Sequence, residues 1–121
     1  MELTPVIKND LTIVEGVPGM AFLASTREID RLIEACFAVG ANAALLYAAN
    51  MTPAFFDLSS GEAGEILQKL RNYHIRLAVV YTPGSVVFSS RFSEMLVDEQ
   101  GGPHFGLFES RQAAVEWLGQ H

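Results

Sequence analysis

The sequence has one cysteine, no cluster of basic residues and no long apolar segment. Since a single thiol cannot form an intramolecular disulfide, Cys36 favours a reducing compartment. The first ten residues lack the basic and apolar regions of a signal peptide, and the most apolar run, Ala41 to Ala49, is far too short to cross a bilayer. These absences predict a soluble cytoplasmic protein that does not act at a membrane.

Recognisable reaction chemistry is absent as well. The three histidines show no metal-ligand spacing with one another, with cysteine or with acids, and neither a Gly-x-Ser-x-Gly elbow nor a Walker loop occurs. Cys36 falls on the apolar stripe of a predicted helix, where a buried structural thiol is expected rather than a nucleophile. The sequence therefore predicts no metal, no cofactor and no catalytic group, and an enzyme is the less favoured reading.

What the chain does have is enough apolar material for a core. Its 121 residues are 50% apolar and 18% charged, which predicts one folded domain over residues 1–121 without a disulfide or metal. The formal net charge is −6, and the eight lysines and arginines are scattered. Nucleic acid and anionic membranes are disfavoured partners, because their phosphates repel such a surface.

The apolar pattern alternates between short runs and helical stripes. Asn9-Asp10 predicts a tight hairpin between two short strands. Capping-box pairs predict helix starts at Ser25 and Ser59, and Ser110 is expected to cap the last helix. The predicted strands are Val6-Ile7, Leu11 to Val14, Ala43 to Ala48, Ile75 to Tyr81 and Phe105 to Phe108. The predicted helices run from Ser25 to Gly40, from Ser59 to about Tyr73, from Ser89 or Ser90 to Gly101, and onward from Ser110.

Inward stripes are assigned to these helices by their spacing. The first is predicted to bury Ile29, Leu32, Ile33, Cys36 and Phe37, the second Ala63, Ile66, Leu67 and Leu70, and the last Ala113, Ala114, Trp117 and Leu118. Gly64 is costly inside a helix. We interpret it as a point where the second helix passes very close to a strand.

The resulting order, β-β-α-β-α-β-α-β-α, predicts an α/β fold with a single mostly parallel sheet and an antiparallel first strand. In such sheets ligands gather outside the carboxyl ends of the strands. We therefore expect the helix opening at Ser59 and Ser60 to lie beside the Thr82 turn at that edge. The candidate ligand-binding or partner-binding residues are Asn50, Thr52, Phe55, Phe56, Asp57, Ser59, Ser60, Gly61, Glu65, Tyr81 and Thr82.

Two interpretations of this edge stay open. The apolar loop residues, which include Phe55, Phe56 and Val86 to Phe88, either fold down over the end of the sheet or form an exposed partner surface or small pocket. The acids and hydroxyls of the helix opening favour self-capping over phosphate binding, because Asp57 and Glu62 compete for the same N–H groups.

The segment from Asn50 to Lys69 also carries a family resemblance. Asn50-Met51-Thr52-Pro53, Phe55-Phe56-Asp57-Leu58 and Ala63-Gly64-Glu65-Ile66-Leu67-Gln68-Lys69 resemble the signature of the bacterial domain of unknown function 4180. The likeness extends through Ile75 to Val80 and covers nearly the whole chain. It implies no activity, because the family has none established.

A more distant likeness is to STAS domains, the anti-sigma-factor-antagonist fold. Their element order is similar, and their regulatory motif, an aspartate followed by a hydroxyl pair and glycine at the second helix, resembles Asp57, Ser59, Ser60 and Gly61. Here Leu58 is inserted after the aspartate. A STAS-like fold would imply a regulatory switch, in which phosphorylation of a serine adds negative charge to a partner surface.

Three functions are consistent with these patterns. The favoured one is a non-enzymatic binding or regulatory module of STAS-like fold that acts through the carboxyl edge. The alternatives are a small-molecule-binding protein with an apolar pocket under the loops, and an enzyme using Asp57, Ser60 or Glu65 with Tyr81 and Thr82. The expected partner is a protein or a small ligand, and a homodimer is plausible because dimers are the commonest assembly.

Overall fold

The computed structural model describes residues 3–8, 11–16, 29–50, 62–82, 84, 93–94 and 104–120. Within them the chain forms five strands, three helices and one 3₁₀ turn. The strands are β1 (Leu3–Lys8), β2 (Leu11–Gly16), β3 (Ala43–Tyr47), β4 (Arg76–Val80) and β5 (Phe105–Phe108). The helices are α1 (Ile29–Val39), α2 (Glu62–Asn72) and α3 (Arg111–Gln120), and the 3₁₀ turn is Ala48–Asn50.

The strands make one mixed sheet in the order β1-β2-β3-β4-β5. β1 pairs antiparallel with β2, and Lys8 opposite Leu11 fits the predicted hairpin. The other neighbours are parallel, with Leu45 opposite Ala78 in the longest parallel ladder. The predicted α/β class and the antiparallel first strand are confirmed. Of the predicted third helix only Ser93 and Glu94 are described, and both are helical.

Helices cover both faces of the sheet. α1 and α2 lie on one face, where they bury Val14, Ala44, Leu46, Leu77, Val79 and Phe105 beneath their own apolar stripes. α3 lies on the other, over Ile13, Ala43, Leu45 and Ala78. Successive strand residues point to opposite faces, so an interior strand buried on both sides is apolar throughout. The prediction that β3 is such a strand is confirmed, because Ala43 to Leu46 are all inaccessible.

The predicted stripes of α1 and α2 are buried wherever their side chains are described, except at Phe37, and the side chain of Ala63 is outside the described ones. Phe37 is 61% exposed, because its ring meets that of Tyr73 edge-to-face, at 5.5 Å between centroids, instead of being covered by the sheet. Gly64 is exposed and a Cβ there would meet no atom within 4 Å, so its interpretation as a close helix–strand contact is wrong.

α1 and α2 end in the same way. Gly40 and His74 each adopt a positive φ, 70° and 57°, just after the helix. The next amide donates back to a carbonyl five residues earlier, Ala41 to Cys36 at 2.8 Å and Ile75 to Leu70 at 2.9 Å. This is the Schellman arrangement, which satisfies carbonyls left free at a helix end. The predicted stop at Gly40 is confirmed, and both turns lead directly into the next strand.

The single thiol lies in the α1 layer. Cys36 is fully buried under the helix, and burial raises the pKa of its thiol to about 11. The prediction of a buried structural cysteine is therefore confirmed. None of the helices in the described part of the chain combines the length and apolar character that a membrane span requires.

Candidate functional site

The carboxyl ends of β2 and β3 meet the first turn of α3 in a cluster of polar side chains. We call Glu15, Tyr47 and Arg111 the carboxyl-edge cluster. Arg111 donates from Nε and Nη2 to the two carboxylate oxygens of Glu15, both at 2.9 Å, and the Tyr47 hydroxyl donates to Glu15 Oε2 at 2.6 Å. One carboxylate thus accepts three hydrogen bonds from two other elements.

Sequence position explains how the cluster forms. Residues 13 and 15 of β2 point to the same face as residues 43, 45 and 47 of β3, because strand side chains alternate. Below them Ile13 and Leu45 are buried under α3. Glu15 and Tyr47 are the last residues of β2 and β3 that point to this face, and they extend beyond the apolar layer, so their polar groups reach α3 without being fully buried. The Glu15 side chain is 14% exposed and that of Arg111 is 48% exposed.

α3 begins at this cluster. The Ser110 Oγ accepts a hydrogen bond from the Ala113 N–H at 3.2 Å, so the predicted cap is confirmed. Arg111 follows the cap directly, where the helix dipole disfavours a cation. The Glu15 carboxylate offsets that cost, because the bidentate pair is charge-assisted and fixed in direction.

Hydrogen bonds and burial together set the protonation states of the cluster. Burial alone would raise the pKa of Glu15, but hydrogen bonds from Arg111 and Tyr47, together with the Arg111 charge, bring it below its ordinary value. Burial and the bond to Glu15 raise the pKa of Tyr47 to about 12. At neutral pH Glu15 is consequently a weakly basic carboxylate and Tyr47 a protonated phenol, whereas general acid–base catalysis requires groups that titrate near the working pH.

A second contact joins the same two strands on the other face. Asn50, at the end of the 3₁₀ turn, is 1% exposed, and its Oδ1 accepts the backbone N–H of Tyr47 at 2.7 Å. Gly16 ends β2 beside it. A Cβ at Gly16 would stand 2.5 Å from Asn50 Oδ1, so the close approach requires glycine.

The predicted site residues are only partly described. Asn50 is buried, Glu65 is exposed in the first half of α2, and Tyr81 and Thr82 follow β4. The Tyr81 amide donates to the Phe108 carbonyl at 2.9 Å, which continues the β4–β5 pairing past the end of the ladder. Thr52, Phe55, Phe56, Asp57, Ser59, Ser60 and Gly61 lie outside the described residues, as do Val86 to Phe88. The apolar pocket and the contact between the Ser59 opening and Thr82 stay predictions.

Four residues of this edge were not predicted. Glu15, Gly16, Tyr47 and Arg111 come from distant parts of the chain, and Glu15 and Arg111 are 96 positions apart. Two local signals were present in the sequence. Glu15 is an acid directly after the apolar pair Ile13-Val14, and Arg111 is a cation at a helix start, which suggests a carboxylate nearby. Neither signal identifies its partner.

In the described ranges, histidine, cysteine and acidic side chains do not gather in a group of three that could hold a metal ion. Comparisons with curated proteins and with solved structures gave no match. A comparison with protein families did, since residues 8–118 match the family described as a domain of unknown function, DUF4180. With nearly its whole length matched, this chain belongs to the DUF4180 family.

Proposed function

We propose that this protein is a non-enzymatic binding or regulatory module of STAS-like fold, acting in the cytoplasm through the carboxyl edge of its sheet. The observation that carries the proposal is the carboxyl-edge cluster. Three hydrogen bonds to Glu15 tie β2, β3 and the first turn of α3 together at that edge. An edge fixed in this way forms a rigid platform, and preorganisation lowers the entropic cost of binding a partner.

The surroundings of the cluster support a protein partner. Thr82, Glu109, Ser110 and Gln112 are exposed at the same edge, after β4 and β5. Exposed polar side chains around a rigid centre that contains tyrosine and arginine are typical of a protein interface. The described element order agrees with the one expected of a STAS-like fold, which supports the regulatory part of the proposal.

The proposal is tested by blocking this edge and comparing it with the opposite one. Thr82→Arg places a large cation at the carboxyl edge, and Asn42→Arg places the same side chain just before β3, at the amino edge. Both positions are exposed, so neither change should lower the thermal midpoint much. The tagged protein and both variants are used to capture proteins from a bacterial lysate. Each captured protein is purified and its affinity measured, and the chain is tested for self-association by light scattering.

We expect a specific partner, either another protein or a second copy, whose affinity falls at least tenfold with Thr82→Arg and is unchanged with Asn42→Arg. Equal binding by both variants would move the interface away from the carboxyl edge. If the wild-type chain captures nothing and a metabolite panel raises its thermal midpoint instead, the small-ligand alternative replaces the proposal.

A further inference from the structure

The end of β2 and the chain just after β3 are also in contact on the α1 and α2 face. The amide of Asn50 lies over the Cα of Gly16 and leaves no space for a methyl group there. The same amide accepts the N–H of Tyr47, the last residue of β3. Asn50 is thereby held to both strands at the point where the chain turns away from the sheet.

The chemistry of asparagine fits this position. A buried backbone N–H without a partner is costly, and the described β2–β3 ladder ends at Glu15 opposite Leu45, two residues before Tyr47. The Asn50 oxygen supplies the partner while its backbone closes a 3₁₀ turn. The side chain is almost fully buried, so it is not available to contact a ligand directly.

We infer that Gly16 and Asn50 form a positioning pair, which holds the 3₁₀ turn Ala48–Asn50 against the end of β2 at the carboxyl edge of the sheet. This inference rests on the proposed function, because that edge is where binding is proposed. Asn50 then acts on binding through the position of this turn, and Gly16 is required because any larger residue displaces the Asn50 amide.

A size-complementation experiment tests the pair. In Gly16→Ala the new methyl group meets the Asn50 oxygen, whereas in Gly16→Ala/Asn50→Ala that oxygen is gone and the remaining close atom is the flexible end of Leu46. We expect Gly16→Ala to lower the thermal midpoint by roughly 5–10 °C in the wild-type background and by much less in the Asn50→Ala background. Gly64→Ala is the matched control, because a methyl there meets no atom within 4 Å and should not depend on Asn50.

Hydrogen exchange locates the effect. The amides of residues 47–50 should exchange roughly tenfold faster in Gly16→Ala and in Asn50→Ala than in wild type, with β4 unchanged. If Gly16→Ala costs the same in both backgrounds, or if exchange of these amides is unaltered, the positioning pair is refuted.

Partner binding separates this inference from the proposed function. We expect Gly16→Ala to weaken binding of the partner found above at least tenfold, with Gly64→Ala unchanged. A partner that binds Gly16→Ala as tightly as wild type would overturn the positioning role even if the stabilities are coupled. If no partner is found, the proposed function fails, and the exchange and stability data still decide the pair.

Discussion

The two faces of the sheet are built by different means. Among the described residues, the buried side chains on the α1 and α2 face are mostly aliphatic and include Leu32, Leu46 and Leu70. The described buried cluster on the α3 face is smaller and includes three alanines, Ala43, Ala78 and Ala114. There, arginines act at both ends of the helix. Arg111 binds Glu15 at the start of α3, and Arg76 donates to the Leu118 carbonyl at 2.8 Å near its end.

This difference shows how a helix can be held in one orientation where the buried side chains beneath it include several alanines. Hydrophobic contacts are non-directional, so they do not by themselves set the orientation of α3. Hydrogen bonds from guanidinium groups are directional and fix both ends. Arg76 is 9% exposed, and its aliphatic stem also covers apolar surface. We expect α1 and α2 to depend on volume and α3 to depend on polar geometry.

The largest effect should come from removing apolar volume on either face. Leu45 and Leu46 are adjacent in β3, are both inaccessible and point to opposite faces. Replacing either by alanine should cost about 2–5 kcal/mol of unfolding free energy, because each leaves a cavity. Urea unfolding measures the two values. We expect the loss of unfolding free energy to be greater for Leu46→Ala, because more of the described buried residues belong to its cluster. A greater loss for Leu45→Ala would contradict this expectation.

Removing the buried arginine should be the next largest change. Arg76→Ala leaves the Leu118 carbonyl without its charged donor, at an expected cost of about 1.5–3 kcal/mol. Hydrogen exchange should quicken toward the end of α3 and stay unchanged in α1. Arg31→Ala is the control, because Arg31 is an exposed residue of α1. A uniform increase of exchange through the whole chain would mean that Arg76 does not act on α3 specifically.

The carboxylate at the other end of α3 gives a smaller effect that depends on pH. Glu15→Gln should lower stability at neutral pH by about 1 kcal/mol, because the charge-assisted pair with Arg111 becomes a neutral contact. The folded pKa of Glu15 lies below its ordinary value of 4.5, so the wild-type advantage is complete above that pH and is lost as the pH falls through the folded value.

Thermal unfolding from pH 7 down to pH 3 checks this dependence, with Glu116→Gln as a control at an exposed carboxylate of the same helix. The curves of wild type and Glu15→Gln should converge in acid. A constant difference at every pH would show that the Glu15 charge contributes nothing to the folded state.

The smallest predicted effect concerns the residues at which α1 and α2 end. α1 uses Gly40 in its left-handed position and α2 uses His74. A residue with a Cβ is disfavoured there by about 1–2 kcal/mol, while glycine in turn has more freedom to lose on folding. His74→Gly should therefore stabilise the protein by roughly 0.5–1 kcal/mol, and Gly40→Ala should destabilise it by a similar amount. A loss of stability in His74→Gly would indicate that the imidazole makes a needed contact.

The face of the sheet covered by α1 and α2 was predicted well, because the sequence patterns that specify it are local. Helical spacing identified Ile29, Leu32, Ile33 and Cys36, and the Asn9-Asp10 turn identified the antiparallel pair. The predicted burial of Phe37 was wrong because helical spacing shows which side of a helix is apolar, but not which of its residues the sheet covers. The predicted close contact at Gly64 was wrong because the conformational cost of a glycine in a helix suggested a contact that the fold does not make.

The α3 face and the carboxyl-edge cluster were predicted less well. The bonds of Arg111 to Glu15 and of Arg76 to Leu118 join residues 96 and 42 positions apart, and no local pattern specifies such pairs. The edge itself was predicted, because parallel strands must end together. Which side chains meet there depends on the strand order and on the return of α3, which only the folded chain provides.

The buried thiol of Cys36 offers a practical means of following these variants. A thiol that is both inaccessible and protonated at neutral pH reacts slowly with alkylating and disulfide reagents. Its labelling should occur only when α1 separates from the sheet, at a rate set by the frequency of that opening. The native Cys36 sulfur can thus report the kinetics of opening without an engineered cysteine. For the same reason the folded chain should resist oxidative crosslinking during storage.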